Sequence, residues 1–260
     1  MRKYWFVFCK DHLLLEKKQG GGYTIPYQDT PPTPIKPWTT IHNITPLDND
    51  EVKTYSIDIP VTDDMQYEMC GLRQSYGKIG DRLYQKAGKC TEILYWDSTT
   101  KFCGVCGSPM KLTSDISKQC TQCGKEVWPQ LATAVICLVY RDDEVLLVHA
   151  KNFRNSNMFG LVAGFVETGE KLEEAVAREV AEETGVTITN IRYYDSQPWP
   201  YPCGLMVGFY AEYVSGDIRL QRTELSLGGW YRYDRLPEIP EKLSIARRLI
   251  DHWLECDRKP

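Results

Sequence analysis

Apolar positions along the chain follow two different rhythms. Near the start, YWFVF at 4–8 and the stretch 52–59 are dense in aromatic and β-branched residues and predict strands. Glycines at 20 to 22 and prolines at 26, 31, 32, 34 and 37 mark turns and extended loops there. From residue 129 onward the pattern becomes regular. ATAVICLVY (132–140) and EVLLVHA (144–150) predict a hairpin about Arg141-Asp142-Asp143, and MFGLVAGFV (158–166) follows with internal glycines. VTITNIRYY (186–194), GLMVGFYAEYV (204–214) and GGWYRYD (228–234) predict further strands, with a turn at Ser215-Gly216-Asp217. Two segments carry a helical period instead. Leu172, Ala175, Val176 and Val180 recur at steps of three and four within a stretch, 171–184, free of Gly and Pro. Ile245, Ala246, Leu249, Ile250, Trp253 and Leu254 form one stripe in 243–256. Strands, helix, strands, helix predict an α+β fold in which a mixed sheet lies between helices.

With 260 residues the chain is long enough for one large or two modest cores. Its composition shifts divide it into a β-rich N-terminal domain (1–100), a short cysteine-bracketed segment (101–128) and the regular domain (129–260). The net charge of -4 argues against a dedicated nucleic-acid or membrane-surface protein. No apolar run has the length of a membrane span, and the apolar stretch in MRKYWFVFCKDH is too short for a secretory signal. A cytoplasmic protein is expected. The ten cysteines are unevenly spread, which suits metal better than a disulfide framework.

Chemistry concentrates between Gly164 and Val186, which reads GFVETGEKLEEAVAREVAEETGV. Glu179 and Glu183 are four apart and so share one side of the helix, with Glu182 adjacent. Carboxylates so placed repel one another. A hard cation such as Mg²⁺ or Mn²⁺ turns that repulsion into coordination and is readily shared with substrate phosphates. Arg178 has the geometry to clamp Glu170 in bidentate fashion, pinning loop to helix. Gly164 and Gly169 allow tight turns before the helix, and Gly185 suits the position just past its end. The competing explanation is an ordinary solvated acidic face.

The segment resembles the Nudix box, G-x5-E-x7-R-E-U-x-E-E-x-G-U with U aliphatic; Gly164, Glu170, Arg178, Glu179, Val180, Glu182, Glu183, Gly185 and Val186 fill every fixed position. The resemblance implies a Nudix hydrolase, cleaving a nucleoside diphosphate linked to another group.

Two cysteine pairs, Cys103-Gly-Val-Cys106 and Cys120-Thr-Gln-Cys123, have zinc-ribbon spacing, in which two turns each give two thiolates to one tetrahedral ion. Gly104, Gly107 and Gly124 are suited to the turns around the sulfurs. Four sulfur ligands leave no position for water or substrate, so the zinc is expected to be structural, one per chain. A redox C-x-x-C pair or two disulfides are the alternatives.

Selectivity is expected from Ser196-Gln-Pro-Trp-Pro-Tyr-Pro-Cys203-Gly204, whose three alternating prolines predict a stiff, extended backbone presenting Trp199 and Tyr201 for stacking on a base or nicotinamide. A proline-rich connector with no binding role is the alternative. This stretch is similar to the SQPWPFPxS motif of NADH pyrophosphatases of the NudC type. The likeness runs from Phe102 to Ile250 through PQ, AGFVE, AREV, LM, AEY, GDI, WYRYD and ARRLI. Tyr201 replaces the motif's common Phe, and Gly204 replaces its final Ser, which removes one substrate hydrogen bond.

Carried over by position, the resemblance implies a Nudix fold preceded by a zinc ribbon and a smaller β-rich domain. It implies catalytic roles for Glu170, Arg178, Glu179, Glu182 and Glu183, and Mg²⁺ or Mn²⁺ held by Glu179, Glu183, the Ala163 carbonyl and Glu224. It implies substrate contacts from Arg73, Asp115, Trp128, Phe165, Gln197, Pro198, Trp199, Pro200, Tyr201, Pro202, Cys203, Gly204 and Ala246. The implied reaction is hydrolysis of NAD(H) to AMP and NMN(H), with NAD-capped RNA as a second substrate, in a homodimer. The attacking water's base is assigned to the acid cluster, Glu182 or Glu183. A non-enzymatic nucleotide sensor, and a ribbon that chiefly docks nucleic acid, are the rival functions.

Overall fold

The computed structural model describes residues 1–153 and 155–256. It separates into two compact units, Met1–Gln130 with Pro200–Cys203, and Leu131–Trp199 with Gly204–Pro260.

In the first unit, β1 (Lys3–Cys9), β2 (His12–Lys17), β3 (Tyr23–Thr24), β4 (Tyr27–Gln28), β5 (His42–Leu47), β6 (Asp50–Ser56) and β7 (Tyr67–Gly71) form a seven-stranded sheet of order β3-β2-β1-β6-β5, with β4 on β1 and β7 on β2. β1 and β6 run parallel, Tyr4 opposite Val52. Alternation along β1 sends Trp5 and Val7 to a cluster with Leu14 and Tyr55. Two helices follow, α1 (Leu72–Ile79) and α2 (Asp81–Thr99), split by Gly80 at φ 77°. The domain predicted as β-rich therefore carries a substantial helical layer. The buried residues of α2, Tyr84, Ala87, Gly88, Cys90, Ile93 and Trp96, step mostly by three and so drift round the helix, which blurs its period.

The cysteine-bracketed segment folds as a three-stranded antiparallel ribbon of β8 (Met110–Ser114), β9 (Ser117–Cys120) and β10 (Glu126–Val127). Lys118 of β9, almost fully buried, anchors it to the end of α2. Its ammonium lies 2.8 Å from Asp97 Oδ1 and donates to the Thr100 carbonyl at 3.2 Å, a position also favoured by the negative end of the helix dipole.

The second unit is a six-stranded mixed sheet built from β11 (Ala132–Arg141), β12 (Glu144–Ala150), β13 (Val162–Phe165), β14 (Thr187–Trp199), β15 (Gly204–Ser215) and β16 (Leu225–Arg232), with helices α3 (Leu172–Thr184) and α4 (Ile245–Glu255). The order is β14-β15-β11-β12-β16, with β13 also on β11, and β11 lies parallel to β15. Alternation along β11 explains the sandwich. Val135, Cys137 and Val139 pack in one cluster with Ala175, Val176 and Val180 of α3, while Ile136 and Leu138 pack in another with Ile245, Ala246, Leu249, Ile250 and Trp253 of α4. Each fully buried aliphatic side chain contributes roughly 1.5–3 kcal/mol. Both helices are capped: Gly185 closes α3 in the left-handed conformation, and the Ser244 hydroxyl accepts the Arg247 N–H at the start of α4.

Candidate active site and zinc ribbon

The predicted extended loop is a hairpin. Residues 196 to 199 continue β14 and pair with β15, Gln197 opposite Met206 and Trp199 opposite Gly204, so only Pro200–Cys203 form the turn, with a cis Tyr201–Pro202 bond. A Cβ at Gly204 would stand 3.2 Å from both the Ala132 and Trp199 carbonyl oxygens. The missing Ser of the motif thus coincides with a close backbone approach.

Just before α3, the chain turns at Gly169, φ 86°, and Glu170 points back. Its carboxylate receives Arg178 Nε at 2.7 Å and Nη2 at 2.9 Å, the bidentate clamp expected, together with the Glu167 N–H at 3.0 Å. Arg178, then the Glu167 N–H, hold Glu170 down at about 2. The same guanidinium donates to Glu179 at 2.8 Å, to Glu182 at 3.2 Å and to the Phe165 carbonyl at 3.0 Å. One cation thereby fixes loop, strand and helix.

Gly164 has a different reason from the turn predicted for it. It lies in β13, and a Cβ there would fall 2.0 Å from the Glu179 carboxyl carbon. The absent side chain is the space the carboxylate occupies. Ala163, whose carbonyl was expected to join the ligand set, is the neighbouring strand residue, opposite Ile136.

Glu183 is 4% exposed, one turn beyond Glu179. Burial chiefly, then the charges of Glu179 and Glu224, push its carboxyl up to about 8. Burial also raises Glu179, against the pull of Arg178. Glu224 reaches this cluster through backbone pairing that its sequence position does not reveal. The carbonyls left over at the end of α3 accept N–H groups from the segment before β16, Arg219 to Thr184 at 2.7 Å and Gln221 to Glu183 at 2.8 Å. Glu224 follows three residues later and its carbonyl accepts the Lys151 N–H. Glu170, Glu179 and Glu182 thus share one guanidinium, while Glu183 and Glu224 face each other and Glu179. This excess of negative charge is the setting a hard divalent cation fits.

The predicted substrate residues fall in several places. Phe165 and Trp128 are 65% and 52% exposed, as stacking faces require. Asp115 sits at the exposed turn of β8 and β9, accepting from Asn43 at 3.0 Å. The Arg73 guanidinium lies 5.3 Å above the Tyr201 ring. Two candidates have a place in the fold as well. The Gln197 amide is spent within the fold, donating to the Leu243 carbonyl at 2.9 Å and accepting the Ile245 N–H at 2.6 Å, which fixes the start of α4. Ala246 is a core residue of that helix. Both therefore also support α4.

In the ribbon, Cys103, Cys106, Cys120 and Cys123 bring all four sulfurs within 4.8 Å of one another. Sulfur separations of 3.6 Å (Cys103 to Cys123) and 3.4 Å (Cys106 to Cys120) are far too long for disulfides and close to the edge of a tetrahedron with Zn–S bonds of about 2.3 Å. Backbone N–H groups lower Cys103 and Cys106, the latter to about 6, whereas Cys123, despite the Lys125 N–H, is pushed up to about 12 by its neighbouring sulfurs. Four thiolates so close need a cation. Gly107 and Gly124, each following a cysteine pair, adopt φ 74°; Gly104, expected to do the same, does not.

Residues 130–254 match the NUDIX domain, 2–96 the NADH pyrophosphatase-like rudimentary NUDIX domain, and 98–127 the NADH pyrophosphatase zinc ribbon domain. The chain is 43% identical over 192 residues to the NAD-capped RNA hydrolase NudC of Klebsiella pneumoniae, spanning 74% of each chain. It is 45% identical over 170 residues to the protein of that name from Salmonella schwarzengrund, 65% of this chain and 66% of that one. A crystal structure of a NUDIX hydrolase from Nitrosomonas europaea superposes with a TM-score of 0.52 at 23% identity, over 60% of this chain and 91% of that one, and shows the fold alone.

Proposed function

The chain belongs to the NADH pyrophosphatase branch of the Nudix hydrolases, and from that premise we propose that it hydrolyses the pyrophosphate of NAD(H) to AMP and NMN(H) and removes the NAD cap from RNA, leaving a 5′-monophosphate. The observation that carries this reading is the convergence of Glu179, Glu183 and Glu224, with Arg178 holding Glu179 and Glu170 in place.

Glu179, Glu183, Glu224 and the Ala163 carbonyl are the groups that would hold Mg²⁺ or Mn²⁺. Such a cation supplies Lewis acidity and charge neutralisation for the pyrophosphate. Glu182 or Glu183 takes a proton from the attacking water, whose oxygen bonds to one phosphorus while the bridging P–O bond breaks and its electron pair leaves on the bridging oxygen. Arg178 fixes the Glu179 and Glu182 carboxylates. Phe165 and Trp128 supply exposed aromatic faces, and Arg73, Asp115 and the hairpin residues 197–204 supply the remaining substrate contacts that the resemblance implies. Cys103, Cys106, Cys120 and Cys123 would hold one structural Zn²⁺. Ten free cysteines fit the reducing cytoplasm. No described helix is long and apolar enough to cross a membrane. A homodimer follows from the resemblance.

The test is product analysis with NADH and with NAD-capped RNA in ¹⁸O-water with Mn²⁺ or Mg²⁺. AMP and NMNH are expected from the first and 5′-monophosphate RNA from the second, and the label assigns the attacked phosphorus. Binding of NADH without turnover would favour the sensor instead.

A further inference from the structure

α2 carries a glycine in its interior, where glycine is less favourable to a helix than alanine. Gly88 is buried, and a Cβ on it would stand 3.2 Å from Cγ of Pro200. One turn earlier on the same face is Tyr84, 6% exposed, whose hydroxyl lies 2.7 Å from the hydroxyl of Tyr201. Tyr76 of α1 packs edge-on against Tyr84 with ring centroids 5.4 Å apart, and Arg73 lies over the Tyr201 ring. The Pro200–Cys203 turn is thus gripped at two consecutive points by one helix face, within one compact unit.

We propose that Tyr84 is a positioning residue for the hydrolysis, setting the pose of Tyr201 through the paired hydroxyls, with Gly88 admitting Pro200 as the second point of the grip. The inference rests on the substrate role assigned to Tyr201 under the proposed function. Chemistry makes the pair a unit. A buried phenol needs a partner, and Tyr201 supplies one to Tyr84. Tyr201 stands where the motif has Phe, a residue that would leave the Tyr84 hydroxyl without this partner. The two hydroxyls therefore belong together: removing Tyr201's alone strands Tyr84's, and the turn shifts to let water in, whereas removing both restores an apolar fit.

The experiment is a double-mutant cycle on the full zinc-loaded chain, reading KM and kcat for NADH alongside the melting temperature. Tyr201→Phe is expected to raise KM about fivefold or more with kcat within about twofold, and adding Tyr84→Phe to return KM to within about twofold of wild type. Gly88→Ala, which improves helix propensity, is expected to raise KM without lowering the melting temperature. Equal KM for wild type and Tyr201→Phe, or a double variant at least as impaired as Tyr201→Phe, would overturn the grip. Tyr201→Ala separates the premises. If it leaves KM unchanged, Tyr201 does not touch substrate; if wild type leaves NADH intact, the proposed reaction itself fails.

Discussion

The role proposed for Glu183 would serve chemistry at the expense of stability. Its buried carboxyl keeps its proton up to about 8, against an ordinary value of 4.5. Between those values the folded metal-free protein binds more protons than the unfolded chain, so its stability falls as pH rises through that window. Glu183→Gln removes the titration. The variant is expected to melt higher than wild type at pH 8 in magnesium-free buffer, and to lose NADH hydrolysis by about three orders of magnitude, the scale of several kcal/mol of metal-assisted stabilisation. Calorimetry across pH 5 to 8 checks the first and steady-state kinetics the second; a wild-type melting temperature flat over that range would contradict the assignment. Gly164 is the complementary case. A methyl group would need the space of the Glu179 carboxylate, so Gly164→Ala is expected to displace that carboxylate by about 1 Å and cost roughly 100-fold in kcat, with circular dichroism unchanged.

At the level of elements, periodicity revealed what depends on local order. α3, α4 and the strands of the second unit emerge from steps of two, three and four because each has one face or both against a core. α2 was hidden because its buried positions drift round the helix instead of keeping one stripe, and the value of Gly88 depends on Pro200, more than a hundred residues away. Glu224 was legible through resemblance alone, since hydrogen bonds from Arg219 and Gln221 to the end of α3 bring it in. The Gln197 amide also completes the start of α4, a contact that its place in the motif does not reveal. Lys118 gave no sequence signal either. It is 3% exposed, paired with Asp97 and 5.1 Å over the Trp96 ring, so Lys118→Met is expected to take the ammonium from a half-buried carboxylate whose other facing ring, His42, lies 3.5 Å away. The expected cost is about 3 kcal/mol by urea denaturation, the usual scale for breaking such a pair. A loss below about 1 kcal/mol would mean that Lys118 does not hold ribbon to helix.

For the whole molecule, the proposed division of labour between a structural and a catalytic metal site has a thermodynamic signature. All four ribbon sulfurs belong to the first compact unit, and every acid of the cluster to the second. A ligand stabilises only the cooperative block that binds it, by RT ln(1 + [L]/Kd), about 2.7 kcal/mol at a hundred times Kd. Each unit has its own hydrophobic clusters, so scanning calorimetry is expected to resolve two transitions once zinc is removed. Chelating zinc should lower only the transition of the first unit, because the ribbon then has four crowded thiols and few apolar side chains to hold it. Adding Mn²⁺ should raise only the transition of the second, and should fail to do so in Glu183→Gln. If both metals shift a single transition together, the chain unfolds as one block, and the separation of a structural from a catalytic site must be sought in kinetics instead.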